Sequence, residues 1–209
     1  MTPLELTVGN LLLRPWRPAD APAVLAAFGD PAILLWNPPP GDVDLPAAAD
    51  WVRKRGDWST GDHVSFAVTD AAGAPAAVGS LLASVSLHRI NLFGQDASIG
   101  YWTVPAARGR GIAGRAVAAV ARWAFVALDL HRIELCHAVD NPASCRVADK
   151  AGFRLEGTLR EAYRYGDGRR HDEHLHARLA TDPLPGQRRS STVKAGDRSS
   201  APRSSAGSA

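Results

Sequence analysis

From Tyr101 to Ala113 the chain reads Tyr-Trp-Thr-Val-Pro-Ala-Ala-Arg-Gly-Arg-Gly-Ile-Ala, an aromatic and β-branched run stopped by a proline and followed at once by glycines. Such a segment fits a strand, a tight turn and the start of a helix, so the chain must place a helix directly after a strand of its sheet. The turn also has chemistry. Gly109 and Gly111 remove the side chains that would keep an anion from backbone N–H groups, Arg108 and Arg110 bring charge, and the positive end of the following helix points at the same spot. This is a cradle for a pyrophosphate. Neither Gly-x-Gly-x-x-Gly nor Gly-Lys-Ser/Thr occurs in the turn, so the dinucleotide fingerprint and the P-loop do not account for it.

The segments that follow have equally clear periods. Ala113, Val117, Val120, Ala121, Ala124, Phe125 and Leu128 recur at helical spacing, with Arg115 and Arg122 off that face, which predicts an amphipathic helix from Ala113 to Leu128 lying on a sheet. Residues Arg132 to Val139 read as a strand. Asn141 as N-cap, Pro142 at the first helical position and Gly152 just past the end then frame a short helix. Phe153 to Arg160 and His174 to Leu179 read as two further strands, with Gly166-Asp-Gly168 as a turn between them.

In that order, Arg108-x-x-Gly111-x-Ala113 resembles the Arg/Gln-x-x-Gly-x-Gly/Ala signature of the GNAT superfamily of acyl-CoA N-acyltransferases. Asn141-Pro-Ala-Ser144 and the helix it opens look like the RimJ/RimL-type branch, which acetylates protein N-termini and various amines. Leu11-Leu-Leu-Arg14-Pro with Asp20 is similar to the branch's first strand, an arginine followed by an Asp that caps the first helix. The resemblance covers about residues 4 to 182. It implies an α/β fold: a mixed, mostly antiparallel twisted sheet of about six or seven strands with about four helices on its faces, splayed in the middle.

The same resemblance implies acetyl-CoA as acyl donor. Its pyrophosphate would lie on the turn and helix start formed by Arg108, Gly109, Arg110, Gly111, Ile112, Ala113 and Gly114, with Asn141 close by. Its pantetheine arm would run along Tyr101, Trp102, Thr103 and Val104 like an added strand. The backbone N–H near Tyr101 would polarise the acetyl carbonyl, and the Ser144 hydroxyl would donate to the departing sulfur, with direct transfer to a primary amine. A protein N-terminal amine leads as acceptor; a small amine such as a polyamine, amino acid or antibiotic, and a non-catalytic acyl-CoA-binding module, are the alternatives. Tyr163 stands where some members of the branch carry a glutamate base and Glu161 is out of register with it, so Asp96, Glu134 and Glu161 remain open as carboxylates for a water relay.

With 209 residues and 45% hydrophobic content the chain can bury one full core, and residues 1 to 182 are expected to form it. From Pro183 on there are five basic residues and one acid, +4, while the rest carries nineteen basic against twenty acidic residues, −1. The net charge of +3 therefore belongs to a Ser/Ala/Arg tail, 183 to 209, that lacks the apolar residues to fold, and no specific nucleic-acid partner is expected. Met1 to Asn10 lacks a basic start and apolar stretch, and no run is long enough to span a membrane, so a cytoplasmic protein, monomeric or homodimeric, is expected.

Other features read as structure. Trp51 and Trp58, seven apart, would share a helix face and, with Trp36, anchor the core or form an acceptor wall. Asp42, Asp44 and Asp50 would form a solvated loop or attract a cationic amine. His171, His174 and His176 lack a cysteine nearby in sequence, so no metal is expected; nor do Cys136 and Cys145 show a histidine partner for an acyl-cysteine route.

Overall fold

The computed structural model describes residues 1–39, 41, 43–71 and 81–183. Strands β1 (Leu6–Val8) and β2 (Leu11–Pro15) form a hairpin, followed by helices α1 (Ala21–Phe28), α2 (Pro31–Trp36) and α3 (Leu45–Gly56). Then come β3 (His63–Asp70), β4 (Leu81–Asn91), β5 (Asp96–Thr103), α4 (Ile112–Ala127), β6 (Arg132–Ala138), α5 (Pro142–Lys150), β7 (Arg154–Arg164) and β8 (Arg170–Leu179). The eight strands make one sheet in the order β1-β2-β3-β4-β5-β6-β8-β7. Among the described residues, eight strands and five α-helices exceed the expected six or seven and four, because β1 is only three residues long and α2 is a single six-residue segment set by the Asp30 cap and Pro31.

Alternation sorts the strand residues to two faces. Leu13, Phe66, Val85, Leu87, Ile99 and Leu135 meet the apolar stripe of α4, Val117, Val120, Ala121 and Ala124, all essentially buried. On the other face Trp16 and Trp102 pack with Val24 and Phe28 of α1 and Val52 of α3. Each such buried aliphatic side chain stabilises the fold by about 1.5–3 kcal/mol relative to exposure.

Arg14, at the end of β2, is buried, and only a carboxylate at close range makes that tolerable. Asp20 supplies it, accepting from Arg14 Nη1 at 2.8 Å and Nη2 at 2.7 Å. Its side chain therefore does not cap α1 as expected; it takes the Arg17 N–H at 2.8 Å instead and fixes the turn before the helix.

One pair of strands is parallel, and it sets the site. β5 and β6 pair only at Asp96–Arg132, Ala97–Ile133 and Ser98–Glu134. Beyond Ser98 they separate, while β5 stays paired to β4 up to Thr103 and β6 to β8 up to Ala138. The sheet thus opens in its middle, as expected.

Candidate active site

Val104 N–H donates to Leu82 O at 3.0 Å. With the β4–β5 register this sends the N–H and C=O groups of Gly100 and Trp102 to β4 as well, and leaves those of Tyr101 and Thr103 aimed into the opening. An extended ligand arm could pair with that exposed edge.

The opening leads to the start of α4. Gly109 and Gly111 have φ of 75° and 70°, a left-handed backbone that an L side chain adopts only under strain, and a Cβ at either would meet no protein atom within 4 Å. Gly111 is the N-cap and offers no side-chain acceptor, so the first N–H groups of the helix, from Ile112 on, face outward with their dipole. The space in front of the turn is a cavity of about 440 Å³, lined by Tyr101, Trp102, Thr103, Arg108, Gly109, Gly111, Ile112, Ala113, Gly114, Asn141 and Ser144, and by Trp36 of α2. These residues fit an anion of pyrophosphate type at the turn and an extended arm beside β5.

At the inner end, Tyr101 Oη donates to Ser144 Oγ at 2.9 Å. Asn141 caps α5, its Oδ1 lying 3.4 Å from Ser144 N, and so holds the serine in the first turn. Burial pushes the Tyr101 phenol up to about 12, against the opposing pull of the Ser144 bond. The phenol therefore stays protonated at neutral pH and remains the donor, which leaves the Ser144 hydrogen free to point elsewhere.

Residues 10–154 match the acetyltransferase (GNAT) domain. The chain belongs to the GNAT family. Among relatives of this GNAT domain, a Bacillus subtilis protein named as a candidate ribosomal N-acetyltransferase, YdaF, is 37% identical over 45% of the chain and 51% of its own length. The ribosomal-protein-serine acetyltransferase of Escherichia coli (strain K12) is 35% identical over 47% of the chain and 55% of its own length. The chain thus spans about half the length of these curated relatives. Among solved structures, Mycobacterium smegmatis RimJ in complex with CoA-disulfide has a TM-score of 0.69, with 28% identity and 86% of each chain covered.

Three residues of the expected site have further surroundings of their own. Arg108 lines the cavity with its guanidinium in an ion pair with Asp30 and its Nε 3.3 Å from Thr103 O. That hydrogen bond holds the Asp30 carboxyl below the usual range, so the charge of Arg108 is largely spent within the protein. Arg110 lies on an adjoining groove of about 830 Å³ with Arg115 and Arg122, and Val104 lies off the cavity with its N–H committed to β4. Beside Arg108, Arg146 and Lys150, four apart on one face of α5, bring further positive charge to the cavity wall. Their spacing after the Asn141 cap was the sequence signal for them.

The tryptophans also separate. α3 ends at Gly56, so Trp58 is off the helix and buried against Phe66, while Trp51 joins Trp16, Phe28 and Trp102. Trp36 alone of the three reaches the cavity, and its ring stands edge-on to Tyr165. Asp44 caps α3 and Asp50 pairs with Arg53 and Lys54, so neither is free for a cationic amine, and Asp42 lies outside the described residues.

Among the relay carboxylates, Asp96 is held by Asn91 and Glu134 by Arg132. Glu161 sits at a positive φ of 47° inside a register shift of β7, and Tyr163 is half exposed beside Tyr165. A carboxylate missed in the sequence is Glu173 on β8, which accepts from Tyr165 Oη at 2.7 Å. Burial, then the fields of Glu173 and Glu134, push the Cys136 thiol up to about 11, which places both carboxylates near it on the face of β6 opposite Ser144's side. Finally, fold contacts give Cys145 the histidine neighbour that its sequence surroundings lack: Sγ lies 3.2 Å from His174 Nδ1.

Proposed function

We propose that the chain is an acetyl-CoA-dependent N-acetyltransferase acting on a primary amine, foremost the α-amine of a protein N-terminus. The observation that carries this reading is the Tyr101–Ser144 hydrogen bond in the sheet opening, at the inner end of a cavity whose outer end is the Gly109–Gly114 turn. The names of the ribosomal-protein relatives support the acceptor class.

Bound acetyl-CoA supplies an activated acetyl thioester. The turn N–H groups and the Arg146 and Lys150 side chains would hold its phosphates, and the exposed edge of β5 at Tyr101 and Thr103 its arm. Tyr101 N–H would polarise the acetyl carbonyl. Ser144, with its oxygen fixed by the Tyr101 phenol, would turn its hydrogen to the departing sulfur, where negative charge develops. Glu173 would receive the amine proton, directly or through one water, on the other face of the opening.

Two chemical arguments bear on acceptor and route. At pH 7 an α-amine of pKa about 7.8 is neutral in more than about a tenth of molecules, a lysine amine of about 10.4 in about 0.04%. A site whose carboxylates are largely tied up suits the first. An acyl-cysteine route would need the Cys145 thiolate, but burial, with Asp149 next, holds that thiol above its ordinary pKa. Direct transfer is the better fit.

Incubation with acetyl-CoA and a panel of peptides and small amines, following free thiol and acetylated product, tests the reading. Turnover with N-terminal amines ahead of small amines is expected. A rise in melting temperature with acetyl-CoA but no thiol release with any amine would identify a binding module instead.

A further inference from the structure

Outside the transfer chemistry, four side chains from three elements converge behind Ser144. His137 on β6, His174 and His176 on β8, and Cys145 in the first turn of α5 each offer one donor atom, and these four atoms lie within 4.8 Å of one another. The β6–β8 register sets His137 opposite His174 and Leu135 opposite His176, so the three imidazoles share the face on which α5 packs. His137 Nε2 and His176 Nε2 are 3.3 Å apart, Cys145 Sγ is 3.2 Å from His174 Nδ1 and 3.9 Å from His176 Nε2. Tetrahedral coordination with metal–nitrogen bonds of about 2.0–2.1 Å and a metal–sulfur bond of about 2.3 Å asks for about 3.3 Å between nitrogens and about 3.6 Å between nitrogen and sulfur. Three of the separations, 3.2, 3.3 and 3.9 Å, lie close to these values, and the four atoms need draw together only from within 4.8 Å.

The protons argue in the same direction. His137 Nδ1 is 2.8 Å from Ala138 O and must donate to it, so His137 Nε2 is a bare lone pair. This is also how a metal-bound histidine is commonly oriented by a backbone carbonyl. Without a cation, His176 Nε2 must then carry a hydrogen to face His137, and its Nδ1, fully buried, is a bare acceptor with no hydrogen-bond partner. A cation among the four donors removes the clash between the two facing nitrogens: both Nε2 lone pairs turn to it, and the His176 proton moves to Nδ1.

We propose that His137, Cys145, His174 and His176 form a tetrahedral site for a divalent cation of zinc type. Binding replaces the Cys145 S–H by a sulfur–metal bond and releases that proton to solvent, while three neutral imidazoles donate lone pairs, so no oxidant or reductant takes part. The metal would tie the first turn of α5, and with it Ser144, to β6 and β8. The inference does not depend on acetyl transfer.

The test uses untagged, full-length protein freed of metal by a chelator and titrated with Co²⁺, then Zn²⁺. One equivalent of Co²⁺ is expected to give the visible bands of a tetrahedral site and a sulfur-to-cobalt charge-transfer band, both displaced by Zn²⁺. Cys145→Ser should lose the charge-transfer band and His174→Ala the tetrahedral bands, each with a native circular dichroism spectrum. Folded native protein without tetrahedral bands, or bands that persist unchanged in both variants, would overturn the site. Should a variant not fold, alkylation of the native protein decides: saturating Zn²⁺ must protect Cys145 and leave Cys136 as reactive as before, and an unprotected Cys145 ends the proposal.

Discussion

Two hydroxyls 43 residues apart in sequence meet at 2.9 Å, and their division of labour can be measured. If Ser144 donates to the departing sulfur, Ser144→Ala should lower kcat by about 10²- to 10³-fold with little change in the KM for acetyl-CoA, because the bond strengthens only as charge develops. Tyr101→Phe removes the fixed donor but keeps the ring and the serine, so a smaller loss, on the order of 10-fold, is expected in kcat. Equal losses in the two variants would mean that the phenol touches the reacting atoms itself. Glu173→Gln should depress kcat/KM by about 10²-fold, read from initial rates with a peptide amine. Ser144 could be found in the sequence only through the family resemblance carried by Asn141-Pro-Ala-Ser144, since the cap alone marks it as a first-turn serine. Its phenol partner, the Cys145–histidine contacts and Glu173 could not, since each depends on strands and helices whose approach no local pattern encodes.

The elements were far more legible than these contacts. Helix α4 starts within a residue of its apolar period, and α5 lies between the cap and the glycine that frame it. Charge was less legible: of the two arginines beside the glycines, Arg108 lines the cavity while paired with Asp30 from the cap of α2, and Arg110 lies on the adjoining groove. The glycines are a firmer guide because backbone conformation leaves no alternative. Gly111→Val, forced into φ near 70° with its branches in the open space of the cradle, should lose binding of acetyl-CoA. A thermal-shift titration checks it: at a hundredfold excess over Kd the native protein should gain about 2.7 kcal/mol and the variant almost nothing. Strand β4 carries a separate signature. Burial, then Arg89 and Arg55, push His88 down to about 4, so between that value and about 6.5 the unfolded chain binds the proton and the folded chain does not. Stability from this group is complete above about pH 6.5 and falls with acidification, with a slope approaching about 1.4 kcal/mol per pH unit. Denaturant titrations from pH 7 to 4.5 should show a shallower decline in His88→Gln.

At the scale of the whole molecule, a mixed, mostly antiparallel sheet splayed in its middle was implied by the family resemblance, whereas the strand order was not read and the shortest elements escaped because three to six residues carry no period. Among the described residues no helix is long and apolar enough to cross a membrane. At the end of β8, Leu179 N–H donates to Asp182 Oδ2 at 2.9 Å and Asp182 N–H to Leu179 O at 3.0 Å, which closes a turn. Residues 184–209, which include the basic tail, lie outside the described residues. We propose, from composition alone, that the folded unit ends near Asp182, since the tail holds five cations, one acid and almost no large apolar side chain to offset the entropy of ordering. Truncation after Pro183 is therefore expected to leave the melting temperature and kcat on a free peptide amine unchanged. The tail's charge of +4 could still act at long range on a polyanionic acceptor complex, where it would alter apparent KM at low salt and lose that effect as ionic strength rises. Comparing full-length and truncated protein on a peptide and on intact ribosomal particles, at two salt concentrations, separates the possibilities. A lower melting temperature on truncation would show that the tail docks on the domain; a KM change confined to the particles at low salt would show a tether; no change in either assay would leave the folded domain as the whole catalytic unit.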